Sequence, residues 1–301
     1  VKLNSVHFDF GGSRVQALRQ RSAFSLIEIL VAAALLTFIV LGLMAMFNQT
    51  QRAFRSSMTQ TDVLESGRAT LDMLARELEQ MAPSQEAFTT NFLAEPSAWF
   101  SKATLQDMPG TEASRTNTIQ KFFFLTRFNT EYVGVGYQVM PESPEFAGDG
   151  VGSLYRFAEG LPTRFGAQLL CRDFYNVSVS NMNRIADGIV HLRVRAFDAA
   201  GRLIAQELPR FPDYTVAYTN MSVGSPAVTV RGDQAAIFMT SNAVPAFVEL
   251  ELGVLEPQIL RRYRSIQNIT ARLDFLARYA PNVHVFRQRI PVRNVDISAY
   301  Q

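Results

Sequence analysis

The chain has 301 residues, of which 48% are hydrophobic and 19% charged, so it can bury a sizeable core and is not a disordered polymer. One cysteine, Cys171, excludes an internal disulfide framework and a multi-cysteine zinc site, and three dispersed histidines (His7, His191, His284) argue against a histidine metal cluster. The formal charge of +2 is uneven: Lys2, Arg14, Arg19 and Arg21 against Asp9 place +3 in residues 1–23, which leaves 2 − 3 = −1 for a body with no electrostatic case for nucleic-acid binding.

From Phe24 to Phe47 the sequence reads FSLIEILVAAALLTFIVLGLMAMF, with Glu28 as its one charge and no proline. Between Ile29 and Phe47 the only polar side chain is Thr37. At about 1.5 Å per helical residue, roughly 20 such residues cross a hydrocarbon layer of about 30 Å. The arginines before the run keep that end cytoplasmic and imply export of the chain beyond Phe47. A cleaved secretory signal would have a shorter apolar region, about 7–15 residues, ending at a small-residue cleavage site. A plain anchor fits the length but leaves Glu28 unexplained, because a carboxylate inside an inserted helix costs about 2.5–3.5 kcal/mol.

The stretch RQRSAFSLIEILVAAALL resembles the N-terminal signature of type IV pilins and type II secretion pseudopilins. Those proteins carry a basic leader, a small residue, Phe, and then a Ser/Thr-Leu-Ile-Glu run. The resemblance implies that a prepilin peptidase cuts between Ala23 and Phe24, that Phe24 becomes the N-methylated first residue, and that Glu28 serves subunit assembly. Ala23 stands where the family usually has glycine. The site stays small, and slower cleavage is expected. The likeness is specific over this stretch and looser as far as residue 82.

Residues 48–82 turn polar but keep an apolar stripe of Phe54, Met58, Leu64, Leu71, Leu74, Leu78 and Met81, without proline before Pro83. The spacing predicts one helix over 24–82, with 24–47 transmembrane and the later part laid on a sheet. Gly42 and Gly67 weaken it by about 1 kcal/mol each relative to alanine. The phrase ESGRATLDMLARELEQM is similar to J-type minor pseudopilins and W-type minor pilins. Residues 84–117 read as loop with a short helix. Alternating segments predict strands over Thr118–Thr126, Tyr132–Val139, Ser153–Phe157, Ile189–Phe197, Arg202–Ala205 (after a turn at Asp198–Gly201) and Phe247–Leu255. Arginines on the 189–197 strand and glutamates on the 247–255 strand suit cross-strand pairing. A short helix within 257–280 and a last strand over 283–293 complete the reading.

Candidate chemistry is sparse. His191 alternates with arginines and reads as surface; His284 has no ligand or triad spacing around it. Cys171 in LLCRDF reads as a half-buried apolar thiol. Gly134-Val-Gly136 lies inside a strand, without the following helix a dinucleotide loop needs. Arg231-Gly-Asp233 reads as a turn, and Asp149 is a single loop acid that makes no calcium site. The expectation is therefore an α+β protein: a leader at 1–23, a long helix at 24–82 packed on an antiparallel sheet, and an exported globular domain at 83–301. Its work would be assembly, not catalysis, with no cofactor and no nucleic-acid partner. The resemblance implies a minor subunit that assembles into, primes or caps a type II secretion pseudopilus. Its partners would be the prepilin peptidase, other pilin or pseudopilin subunits contacted through the N-terminal helix, and a bacterial inner membrane crossed once with the domain periplasmic. The alternatives are a minor pilin of a type IV pilus, or a single-pass anchored binding protein with no assembly role.

Overall fold

The computed structural model describes residues 25–97, 99–100, 104–107, 114–141, 150–208, 211–217, 228–231 and 236–300. The chain divides into two units between Arg55 and Ser56. Helix α1 (Leu26–Leu78) supplies the described part of the first unit and continues into the second. It is shorter than the 24–82 read from the sequence. It begins after Ser25 and ends where the chain is captured by a strand: Met81 bridges Thr126, and the Ala82 N–H donates to Leu125 O at 2.9 Å. Pro83 therefore follows a helix that has already stopped.

In the second unit, β1 (Glu86–Pro96) is followed by β2 (Thr104–Asp107), β3 (Ser114–Asn117), β4 (Gln120–Phe128), β5 (Glu131–Met140) and β6 (Gly152–Pro162). Helix α2 (Gln168–Asn176) precedes β7 (Asn183–Phe197), β8 (Ala205–Leu208), β9 (Phe211–Ala217), β10 (Val228–Arg231), β11 (Ala236–Ser241) and β12 (Phe247–Leu255). Helices α3 (Pro257–Arg264) and α4 (Ile269–Arg278) lead to β13 (Val283–Pro291). Among the described residues, nine strands form one curled antiparallel sheet in the order β10-β11-β1-β4-β5-β6-β7-β12-β13, with β2–β3 and β8–β9 as separate hairpins.

Strand β1 stands where the sequence read as loop. It runs between β11 and β4 with Phe92 and Ala94 packed beneath α1 and Leu93 on the opposite face, so both faces are apolar and no alternation marks it. Its buried Asn91 ties the ends of two strands together, donating to Ser241 O (2.7 Å) and Ala243 O (3.0 Å) while accepting from the Ser84 N–H (2.9 Å). The single helix expected within 257–280 is two, α3 and α4, separated at Ser265–Asn268, where the Asn268 carboxamide caps α4 by accepting from the Ala271 N–H.

Two layers cover the sheet. On one face α1 buries Val63, Gly67, Thr70, Leu71, Leu74, Ala75 and Leu78 against β-strand residues such as Phe122, Tyr137, Leu192 and Leu250. The 3/4 spacing is helical, but the contact line runs through Val63 and Gly67 where the sequence reading traced it through Met58 and Leu64, which are 67% and 42% exposed. On the other face α2 packs Leu170 and Phe174 over β4 and β5. Gly134 and Gly136 make room for it. A Cβ at Gly136 would lie 2.4 Å from the Phe174 ring, and one at Gly134 would lie 2.9 Å from Leu170 Cβ.

Candidate functional site

The N-terminal segment carries the sequence-derived site. Ala23 and Phe24 lie outside the described residues; Ser25 and Glu28 do not. Ser25 caps α1. Its Oγ accepts from the Glu28 N–H at 3.3 Å, and its carbonyl accepts from the N–H groups of Glu28 (3.0 Å) and Ile29 (3.3 Å). Ser-x-x-Glu is the capping-box pattern, in which a hydroxyl and a carboxylate serve the unpaired amides of the first turn. Glu28 is therefore in the first turn and exposed, where the helix dipole favours negative charge, and not deep within the apolar run.

Beyond it every large apolar side chain from Leu26 to Phe47 is exposed on all sides of the helix. Thr37 satisfies its hydroxyl within the helix, donating to Ala33 O at 2.8 Å, and so leaves no polar group unpaired in the run. A helix apolar all round requires a nonaqueous surrounding, and this one is long and apolar enough to cross a membrane once.

The second half of α1 is fixed to the sheet by polar contacts as well as apolar ones. Tyr137, fully buried, donates its hydroxyl to Glu77 Oε2, and Arg156 grips the same carboxylate through Nε (3.0 Å to Oε1) and a terminal nitrogen (2.8 Å to Oε1). Burial and the neighbouring Glu77 push the Tyr137 phenol well above its usual range, so it stays a donor. Burial opposes the charge on Arg156, but the hydrogen bond and charge of Glu77 outweigh it and hold the guanidinium above its ordinary value. Nearer the helix start, Gln258 Nε2 donates to Thr59 Oγ1 at 2.8 Å; at its end Arg293 pairs with Glu79 at 2.6 Å. Between them Gly67 sits on Phe286, where an added Cβ would lie 2.2 Å from the ring.

The face of β7, β12 and β13 away from α1 carries an ionic ladder. Glu249 lies opposite Arg195 and Glu251 opposite Arg193, as the alternating charges predict, and on the other side β13 sets Arg289 opposite Glu249 and Arg287 opposite Glu251. Arg195 and Arg287 reach Glu249 at 3.0 and 2.9 Å. His191 belongs here too, but it is not a surface residue. It is 3% exposed, with Nδ1 accepting from the Thr118 N–H at 3.0 Å and Nε2 lying 3.3 Å from Glu251 Oε2. The segment entering β4 crosses over β7 at Thr118–Ile119, and Gly253, opposite His191 in the register, leaves room for the His191 Cβ, which a Cβ at 253 would approach to 2.8 Å. The His191 hydrogen bond first, then Arg195 and Arg193, outweigh burial and hold the Glu251 carboxyl down to about 2.

Of the other sequence candidates, Cys171 is buried on α2 with its thiol pushed up to about 11 by burial, and His284 contacts Glu256 at 3.2 Å. Asp149 and the Gly-Asp of the Arg231 tripeptide lie outside the described residues. Among the described residues no group of three His, Cys, Asp or Glu is placed to hold a metal ion. The Glu77 clasp and the Gly67 contact escaped sequence reasoning. Gly67, placed between Val63 and Leu71 at helical spacing, was the available signal for the latter.

Helix and sheet together define the class: an α+β, pilin-like architecture in which one helix has an apolar, membrane-competent half and a half that packs on a curled antiparallel sheet. No family model matches the chain, and neither a curated protein nor a solved structure matches it.

Proposed function

We propose that this chain is a single-pass, membrane-anchored subunit of the minor pilin or pseudopilin kind. A prepilin peptidase removes residues 1–23, the anchor helix packs against the anchors of neighbouring subunits, and the globular unit lies on the exported side. The observation that carries this reading is the run from Leu26 to Phe47, apolar on every side, in a helix whose first turn holds a lone carboxylate. A newly made amine at Phe24 would lie one turn from Glu28. Pairing between neighbouring subunits would offset the cost of placing both charges at the membrane edge.

The type IV pilus and the type II secretion pseudopilus use such a subunit alike, and the geometry serves both. An anchored binding protein with no assembly role is the second reading. The Ser25 cap favours it, because a capping-box glutamate has a local purpose without any partner. The experiment is mass spectrometry of the mature N-terminus after co-expression with a prepilin peptidase. The expected product begins at methylated Phe24. An intact leader, under conditions that process a control pilin, would leave only the anchored binding protein.

A further inference from the structure

Three contacts fix the direction of α1 along the sheet edge within the second unit: Thr59 with Gln258, Gly67 with Phe286, and Glu79 with Arg293. Helices α3 and α4 therefore sit at the Thr59 end, the pole where the chain arrives from the apolar run. Their buried residues, Ile259, Leu260, Tyr263, Arg272 and Leu276, turn inward, with the Arg272 guanidinium over the Tyr263 ring. Their outer faces hold Arg261, Arg262 and Arg278, exposed and without an ion pair among the described residues. By contrast Arg264, Arg287 and Arg293 are each paired with a carboxylate. Asp274 is the one acid on these outer faces, which leaves them net positive. On α4 Ile269 is 49% and Leu273 38% exposed, one helical turn apart and around the helix from Arg278.

We propose that the α3–α4 face docks on an anionic phospholipid surface. Unpaired arginines and exposed aliphatic side chains on the same pair of helices are the chemistry that recognises acidic headgroups and the outermost acyl carbons. The occupant follows from the chain itself. Thr59 is twelve residue steps beyond Phe47, about 18 Å as helix and no more than about 43 Å extended. A bilayer crossed by the anchor is thus held within reach of this pole at high effective concentration. Near an acidic membrane each arginine strengthens binding about fivefold, so three give roughly a hundredfold before Asp274 subtracts its share.

The proposal rests on the anchor reading, and the experiment separates the two. The full chain, labelled with an environment-sensitive fluorophore at Gln267→Cys between α3 and α4, is placed in lipid nanodiscs of phosphatidylcholine alone or with phosphatidylglycerol. Incorporation is read by size, and docking by quenching from brominated acyl chains. Quenching is expected in the anionic discs, weakening at least tenfold in neutral discs and on R261E/R262E/R278E, with the glutamine triple variant intermediate and R172E, a control at α2, unchanged. Circular dichroism checks that the variants fold. A chain that fails to enter the discs overturns both readings. A chain that enters but is not quenched, is quenched equally in neutral discs, or is quenched undiminished in both triple variants, overturns the docking surface alone and leaves the arginines to a protein partner.

Discussion

Gly67→Ala sets two effects of known sign against each other. In an exposed helix the change is favourable by about 1 kcal/mol, because alanine loses less backbone entropy on folding. At Gly67 the new Cβ would stand 2.2 Å from Phe286 Cε2 and 2.3 Å from Cζ, far inside any real contact. Either α1 lifts from β13, or the half-buried Phe286 ring swings out and gives up about 1.5–3 kcal/mol of burial. The clash wins, for a net loss of about 0.5–2 kcal/mol. In a fragment beginning at Ser56, which spans the second unit, that corresponds to a melting temperature lower by about 1–8 °C. Calorimetry or denaturant unfolding reads it directly. The sharper form is a cycle: in a Phe286→Ala background the obstruction is gone, and Gly67→Ala should become stabilising by about 1 kcal/mol. If Gly67→Ala stabilises the otherwise unaltered fragment, the helix does not cross β13 at this residue and the account of its second half is wrong.

Three further outcomes are expected. Glu251 is held near 2 from an ordinary 4.5, so its contribution is fully present above about pH 4.5 and is lost as pH falls toward 2; with its partial solvation that amounts to about 1–2 kcal/mol, and Glu251→Gln should flatten the acid limb of a stability–pH curve over that window. Arg156→Met leaves the Glu77 carboxylate held by Tyr137 alone in a mostly enclosed site; a loss of about 1–3 kcal/mol is expected, below the figure for a fully buried pair, and Tyr137→Phe should cost about 1.5–3 kcal/mol by removing a hydrogen bond to a charged acceptor, both read by urea unfolding. A fragment beginning at Pro83 loses Val63, Leu71, Leu74 and Leu78 from the core, each comparable to a large-to-small change of about 2–5 kcal/mol, so it should aggregate on gel filtration where the Ser56 fragment runs as a monomer.

What could be read from the sequence was whatever had a strong period. The apolar run, the Leu71-Leu74-Leu78 stripe, and the alternation of β5, β7 and β12 are each one-sided patterns repeated over several residues, and the charges on β7 and β12 pair as alternation implies. Strand β1 was missed because a central strand buried on both faces has no alternation to read. His191 was misplaced for a related reason. Alternation tells which face of β7 it is on, but a non-local crossing by Thr118, together with the missing side chain at Gly253, determines whether that face is wet. Helix α2 was missed because nine residues give barely two turns of pattern, and its docking site is written elsewhere, in Gly134 and Gly136 of β5. At the N-terminus the apolar run was legible, but the helix start was not: Ser25 as the cap moves Glu28 from inside the helix to its first turn.

That displacement changes what Glu28 must explain. In the centre of a bilayer its carboxylate would cost about 2.5–3.5 kcal/mol and would call for a partner. In a capped first turn the cost is smaller, because the dipole and the free amides of the turn already favour the charge. Two roles therefore fit the same residue: a local cap, and a charge that pairs with a neighbouring subunit's amine. They differ in what they ask of the side chain. A capping box accepts glutamine as readily as glutamate; a pairing site does not, since the amide is neutral. Glu28→Gln is thus expected to leave membrane insertion and leader removal intact while abolishing crosslinks between cysteines placed on adjacent anchor helices. The expected size comes from the loss of one member of a poorly solvated charge pair: at about 3–5 kcal/mol, association falls by roughly two to three and a half orders of magnitude. Glu28→Asp keeps the charge but shortens its reach by one methylene, and should retain part of the crosslinking. If the glutamine variant crosslinks as the parent does, Glu28 is a cap and nothing more, and the helix from Leu26 to Phe47 is an anchor without a register.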